Sequence, residues 1–275
     1  MKIGAKIHRV RICSSTNDLA RDLALAGEKE GAIVISEEQT KGRGTKGRSW
    51  HSAKKKGLYL SIILRPFNSN ISLLPIVAGV AVKEAIFKSL GIHIKLKWPN
   101  DLIWSDKKLG GILCESTFFG NQINFVILGI GLNLNHGVDD FPEDIRYQST
   151  SLKLISKEDI NEKMILQHLS NTLNHWYSLY LQGAERKIIQ AFQENSVLPL
   201  GKDVIVVTDS KKVAGVYRGI NLQGGLILES QERKIVFFQG KSSQRKRETG
   251  GINAISHRYW KHQYCYWSIP GKGDN

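Results

Sequence analysis

Apolar residues recur along this chain first at spacings of three to four and then at two, which predicts a mixed α and β domain. Ser14-Ser15-Thr16 reads as a helix start, and Leu19, Ala20, Leu23 and Ala24 follow at helical spacing until Gly27. Residues 32–35 are a β-branched run and predict a strand, as does the apolar, alternating stretch 58–64. A helix is expected over 72–90, with Leu73, Ile76, Val77, Val80, Ala81 and Ile86 on one buried face. Strands follow over 92–98, 102–104, 111–117 and 124–131, the middle pair joined by Ser105-Asp106-Lys107 as a hairpin turn. Two more helices are expected, one over 158–182 with Ile165, Leu169, Leu173, Trp176 and Tyr180 on a stripe, the other over 184–195.

The pattern changes at Val197. Short strands over 204–207, 213–218, 225–228 and 234–238 are separated by Asp209-Ser210 and Gly224-Gly225. About five strands in some 45 residues is the size of a small SH3-like barrel. Beyond it, Arg245-Lys246-Arg247 leads into Tyr259, Trp260, Tyr264, Tyr266 and Trp267 with no period, the pattern of a poorly ordered tail. The expected organisation is a domain over 1–196, a barrel over 197–245 and a basic, aromatic tail over 246–275.

Composition narrows the class. Hydrophobic residues at 41% and charged residues at 23% exclude wholesale disorder, and 275 residues suit about two domains. The longest uncharged apolar stretch, 71–82, holds Pro75 and stops at Lys83, well short of the roughly 20 residues a bilayer requires. No apolar signal region follows the first residues, so a cytoplasmic protein without membrane attachment is expected. Cys13, Cys114 and Cys265 are odd in number and share no metal-type spacing, which fits a reducing compartment. Net charge changes the picture more. The excess is +14, and from Val197 onward thirteen basic residues face six acidic ones, half of it. A surface this basic attracts nucleic acid, anionic membrane, phosphate-bearing small molecules or an acidic protein.

Four stretches carry candidate chemistry. Gly42-Arg43-Gly44-Thr45-Lys46-Gly47-Arg48-Ser49-Trp50 interleaves glycines with three cations, the make-up of a loop that folds over phosphate or carboxylate groups. Its spacing matches neither the dinucleotide fingerprint nor the P-loop. Lys97-Trp98-Pro99-Asn100-Asp101 ends a strand with a lysine able to meet an anion as a point charge. Lys108-Leu109-Gly110-Gly111-Ile112-Leu113-Cys114-Glu115 pairs glycines beside an apolar strand, a sign of close backbone approach. Gly129-Ile130-Gly131-Leu132-Asn133-Leu134-Asn135 clears one face of a strand and then supplies amides.

In this order the four stretches resemble the biotin protein ligases, in the form without an N-terminal DNA-binding domain. The similarity also takes in Ser15-Thr16-Asn17, Gln39, and Arg218-Gly219-Ile220 with Gly225-Leu226-Ile227-Leu228 in the barrel, from about residue 8 to residue 245. It implies an α+β catalytic domain of the class II synthetase-like type, a mixed sheet with helices, followed by the SH3-like barrel. It implies attachment of biotin to a lysine of a biotin carboxyl carrier protein, of acetyl-CoA carboxylase or another biotin-dependent carboxylase. The route is biotinyl-5′-adenylate, from ATP with Mg2+. Carried over, Ser15, Thr16, Asn17, Gln39, Gly111 and Leu113 are the biotin contacts. Lys97 and Arg43 are the catalytic cations, meeting the carboxylate and the α-phosphate. Gly42, Gly44, Thr45, Lys46, Arg48, Asn100, Asn133 and Arg245 face the nucleotide and its phosphates. No metal site is expected beyond the Mg2+ of the nucleotide.

Some positions depart from the family. Thr45 stands where many relatives carry a basic residue, so a contact to the adenylate phosphate is expected to be missing unless Lys46 or Arg48 supplies it. After the barrel, Lys241 follows Gly240 where an acidic residue is frequent. A homodimer is one expectation from the resemblance. Two alternatives stand beside this reading: a lipoate or other acyl-protein ligase of the same fold, and, from the charge, a nucleic-acid-binding transcriptional regulator. Regulators among the relatives carry an added winged-helix domain, so specific DNA binding is not expected.

Overall fold

The computed structural model describes residues 2–67, 70–120, 122–208, 212–231, 233–238, 241–243 and 265–268. The chain divides between Val197 and Leu198 into two compact units. The first is built on a seven-stranded sheet of β1 (Ile7–Val10), β2 (Ile33–Ser36), β3 (Gly57–Leu64), β4 (Lys95–Lys97), β5 (Asp101–Trp104), β6 (Lys107–Phe119) and β7 (Gln122–Asn133). Their spatial order is β1-β2-β3-β7-β6-β5-β4. Only β1 and β2 are parallel, and every other neighbouring pair is antiparallel.

Alternation along β6 and β7 decides what each face of the sheet carries. Leu128, Ile130 and Leu132 of β7 and Ile112 of β6 point to one face and are fully buried. Helix α2 (Leu74–Leu90) covers that side, where Gly79 lets it approach Ile112 and Leu96. Residues 73–82 are buried all round, not on the single face that the spacing predicts, because helix α5 (Glu162–Leu181) packs on α2 as well as the sheet beneath. The opposite face holds helix α1 (Thr16–Leu25), whose Ala20 and Ala24 pack on Val34, Ile63, Phe125 and Ile127. Ser15 caps α1 by accepting from the Asn17 amide.

Three features went unpredicted. Strand β1 exposes alternate residues at the sheet edge, and its Ile-His-Arg-Val sequence has no apolar period. Helices α3 (Glu143–Arg146) and α4 (Leu152–Ser156) are too short to show one. The strand expected over 92–98 narrows to β4. Helix α6 (Glu185–Glu194) closes this unit.

The second unit is an antiparallel sheet of β8 (Asp203–Thr208), β9 (Lys212–Ile220), β10 (Leu226–Ser230), β11 (Arg233–Phe238), β12 (Lys241–Ser243) and β13 (Cys265–Ser268), ordered β12-β11-β10-β9-β8-β13. Val204, Val206, Tyr217, Leu226, Leu228 and Phe237 form its core. Strand β13 lies inside the tail, where no regular element was expected, and pairs with β8. The rest of 246–275 is outside the described residues, as is Arg245. No helix among the described residues is long and apolar enough to cross a membrane.

Candidate ligand-binding site

On the α1 side of the sheet the period-two pattern places Gly111 and Leu113 of β6 beside Gly131 and Gly129 of β7. Three of these four positions lack a side chain, so a cavity of about 260 Å³ opens over the sheet where a core would otherwise fill in. The space beside two of the glycines is used by specific neighbours. A Cβ on Gly129 would stand 2.3 Å from Asn17 Oδ1, and one on Gly131 would stand 2.6 Å from Cε2 of Trp50. The cavity therefore depends on Asn17 and Trp50 resting on bare backbone.

Near α1 the lining is polar and already organised. Gln39 Oε1 accepts from the Thr16 amide at 2.8 Å and from Thr16 Oγ1 at 3.1 Å, while its Nε2 donates to Ser52 Oγ at 2.8 Å. Ser61 Oγ donates to Asn17 Oδ1 at 2.5 Å and lies 2.8 Å from Thr16 Oγ1. Asn17 Nδ2 donates to Glu115 Oε2 at 2.7 Å. A small polar ring meeting this end would find rigid hydroxyl and amide groups rather than free rotors.

The glycine loop forms the other wall. The Gly44 amide donates to the Arg48 carbonyl at 2.8 Å and the Trp50 amide to the Gly42 carbonyl at 2.8 Å, closing a compact turn. Arg43 leaves this loop to pair with Asp18 at 2.7 Å and Glu115 at 2.9 Å. Burial would lower its basicity, but the hydrogen bonds to Asp18 and Glu115 outweigh that and raise it. The same Arg43 bond holds the Asp18 carboxyl below its usual range. Lys108 Nζ lies 2.7 Å from Asp101 Oδ1 and 5.6 Å from the centre of the Trp50 ring. Trp50 Nε1 is buried and has no hydrogen-bond partner among the described residues.

The cavity brings together Ser15, Thr16, Asn17, Gln39, Arg43, Gly44, Thr45, Arg48, Asn100, Gly111, Leu113 and Asn133 from the expected set. Two of them also brace the wall: Asn100 Nδ2 donates to the Ile112 carbonyl at 2.6 Å, and Asn133 Nδ2 to that of Thr150 at 3.0 Å. Gly42 packs behind the lining, and the Lys46 side chain lies outside the described residues, as Arg245 does. Lys97, three residues before the lining Asn100, is not itself among the lining residues. It ends β4 opposite Asp101, and Lys108, across the β5–β6 hairpin, lines the cavity. Lys108 and Trp50, from two of the stretches with candidate chemistry, and His51, Phe141 and Gln148 are lining residues to which the sequence assigned no role. Position offered one signal, since Lys108 precedes the Gly110-Gly111 pair by two residues.

Behind Phe141 sits a buried histidine. The His136 ring stacks on Phe141 at 4.8 Å, and its Nε2 is 3.4 Å from the Tyr59 hydroxyl. Burial pushes its pKa down to about 4. The unfolded chain would protonate this ring near pH 6.5, so the unfolded state binds more protons between those values and stability falls as pH drops through that window. The expected loss by pH 4 is about 2–3 kcal/mol at 1.36 kcal/mol per unit. His136→Phe should flatten this part of a denaturation-midpoint-against-pH curve, and parallel curves for the two proteins would contradict it.

Comparison with known proteins gives concordant findings. The sequence model described as the biotin/lipoate A/B protein ligase family matches residues 10–133. A bifunctional ligase/repressor BirA of Bacillus spizizenii is 35% identical over 226 residues, 80% of this chain and 68% of that protein. A biotin–[acetyl-CoA-carboxylase] ligase of Mycobacterium tuberculosis is 30% identical over 238 residues, 82% of this chain and 84% of its own. Among solved structures, the biotin protein ligase from Aquifex aeolicus in complex with biotin and ATP superposes with a TM-score of 0.75. It is 28% identical, covering 88% of this chain and 99% of that one.

Proposed function

We propose, from the premise that this chain belongs to the biotin/lipoate A/B protein ligase family, that its cavity activates biotin with ATP and passes it to a carrier protein. A biotin carboxylate oxygen attacks the α-phosphorus, the bond to the β-phosphate oxygen breaks, and pyrophosphate leaves biotinyl-5′-adenylate. A carrier lysine amine then attacks the acyl carbon, AMP departs, and the new amide nitrogen gives up its proton. The observation that carries this reading is one cavity floored by Gly111, Gly129 and Gly131, with hydroxyls and amides at one end and Lys108 farther along β6.

The residues divide the work by chemistry. Ser15, Thr16, Asn17 and Gln39 offer donors and acceptors suited to a ureido ring, and the exposed backbone of Gly111 and Leu113 lies along it. Joining a carboxylate to a triphosphate brings anions together, so cations that neutralise both reactants lower the barrier. The resemblance gives that task to Lys97. Lys108, which Asp101 and the Trp50 ring hold at the cavity, is a second cation on the same β-meander. Arg48, a lining residue, and the Thr45 hydroxyl can meet the phosphates. Phe141 and Ile145 supply apolar surface for the base. Mg2+ would arrive on the nucleotide phosphates. No group of three or more His, Cys, Asp or Glu among the described residues is placed to hold a metal of its own.

The acceptor in this reading is a biotin carboxyl carrier domain, and the setting is the cytoplasm. A carrier acidic around its target lysine would meet a +14 ligase with electrostatic steering. Incubation with ATP, biotin and a carrier domain should leave biotin on one carrier lysine, stable to denaturation. An adduct that persists when that lysine is replaced by arginine would contradict the proposal.

A further inference from the structure

The glycine loop is fastened by four charges that the reaction itself does not consume. Arg43 places Nη1 2.9 Å from Asp18 Oδ2 and Nη2 2.7 Å from Asp18 Oδ1. The same Nη2 is 2.9 Å from Glu115 Oε2. Arg21 reaches both carboxylates too, at 3.2 Å each. Two guanidiniums and two carboxylates leave the cluster without net charge, so it offers little attraction to an incoming triphosphate. The forked guanidinium is instead spent on bridging α1 and β6 to the loop.

Glu115 ties this cluster to the cavity floor. Its Oε2 accepts from Arg43 and also from Asn17 Nδ2, and Asn17 in turn accepts from Ser61 and rests on Gly129. An opening of the loop that withdraws Arg43 therefore frees one partner of the carboxylate that orients Asn17.

We propose that Arg43 is a positioning residue that latches the glycine loop to α1 and β6 through Asp18 and Glu115, with Glu115 linking the latch to Asn17. This departs from the phosphate-facing role that the resemblance gives Arg43. It rests on the biotin-ligase reading only in taking biotin as the occupant of the floor. Lysine at position 43 keeps the charge but cannot bridge two carboxylates with a planar fork, so the latch distinguishes charge from geometry.

The test uses hydrogen exchange of the 41–50 amides in protein without ligands, and calorimetric biotin affinity without ATP. Arg43→Lys, Asp18→Asn and Glu115→Gln should each speed loop exchange about fivefold or more, and Arg43→Lys and Asp18→Asn should each weaken biotin about five- to tenfold. The double variant Asp18→Asn/Arg43→Lys should bind no worse than the weaker single, because both changes break one latch. Loop exchange at the wild-type rate in all three single variants, or additive losses in the double, would overturn the latch. A protein that binds no biotin at all would instead overturn the functional reading, while loop exchange still decides the latch.

Discussion

Lys97→Ala is expected to slow biotinyl-adenylate formation by about 10²–10³-fold, the scale on which a single preorganised charge contact in a transition state acts. Lys108→Ala should slow it less, since Asp101 already pairs with that ammonium at 2.7 Å. The contrast matters because the two lysines belong to one β-meander and either could meet an anion on charge alone. Asp101 makes the difference. It pairs across the strands with Lys97 by backbone register, yet its carboxylate is 2.7 Å from Lys108 Nζ. Single-turnover measurement of adenylate in the two variants decides between them, and a large fall confined to Lys108→Ala would move the role to that residue.

Gly129→Ala is expected to weaken biotin binding by about 10–100-fold and to lower stability, since overpacking of this kind costs about 1–3 kcal/mol. The added methyl would stand 2.3 Å from Asn17 Oδ1, and Asn17 cannot swing aside without giving up its bonds to Ser61 and Glu115. Gly111→Ala separates the two effects. Its methyl would meet nothing closer than 3.5 Å, so the melting temperature should hold while the side chain intrudes where a ligand lies. Calorimetric titration with biotin and thermal melting of both variants supply the check. Biotin affinity equal to wild type in Gly129→Ala would show that the floor does not require bare backbone there.

Period and glycine spacing made the cavity floor legible in the sequence. In Gly129-Ile130-Gly131-Leu132-Asn133 the apolar residues fall on one face and the glycines on the other, and the structure uses that split between α2 and the cavity. Partners distant in sequence were not legible. Nothing local in Arg43 says that Asp18 and Glu115 will take its guanidinium, because 25 and 72 residues separate them. The choice between Lys97 and Lys108 has the same origin. A register shift between Leu102 and Ile103 lies in the β5–β6 pairing between them, and strand spacing alone does not reveal such a shift. His136 was hidden for another reason: its burial depends on Tyr59 and Phe141, which close over it from separate segments.

The central claim is that this cavity makes an acyl-adenylate from biotin. Isotope exchange between pyrophosphate and ATP measures that step alone, without a carrier. The account expects exchange that requires biotin, that lipoate does not support, and that falls by about 10²-fold or more in Lys97→Ala. Exchange that proceeds equally with lipoate, or none with biotin in the folded protein, would contradict it.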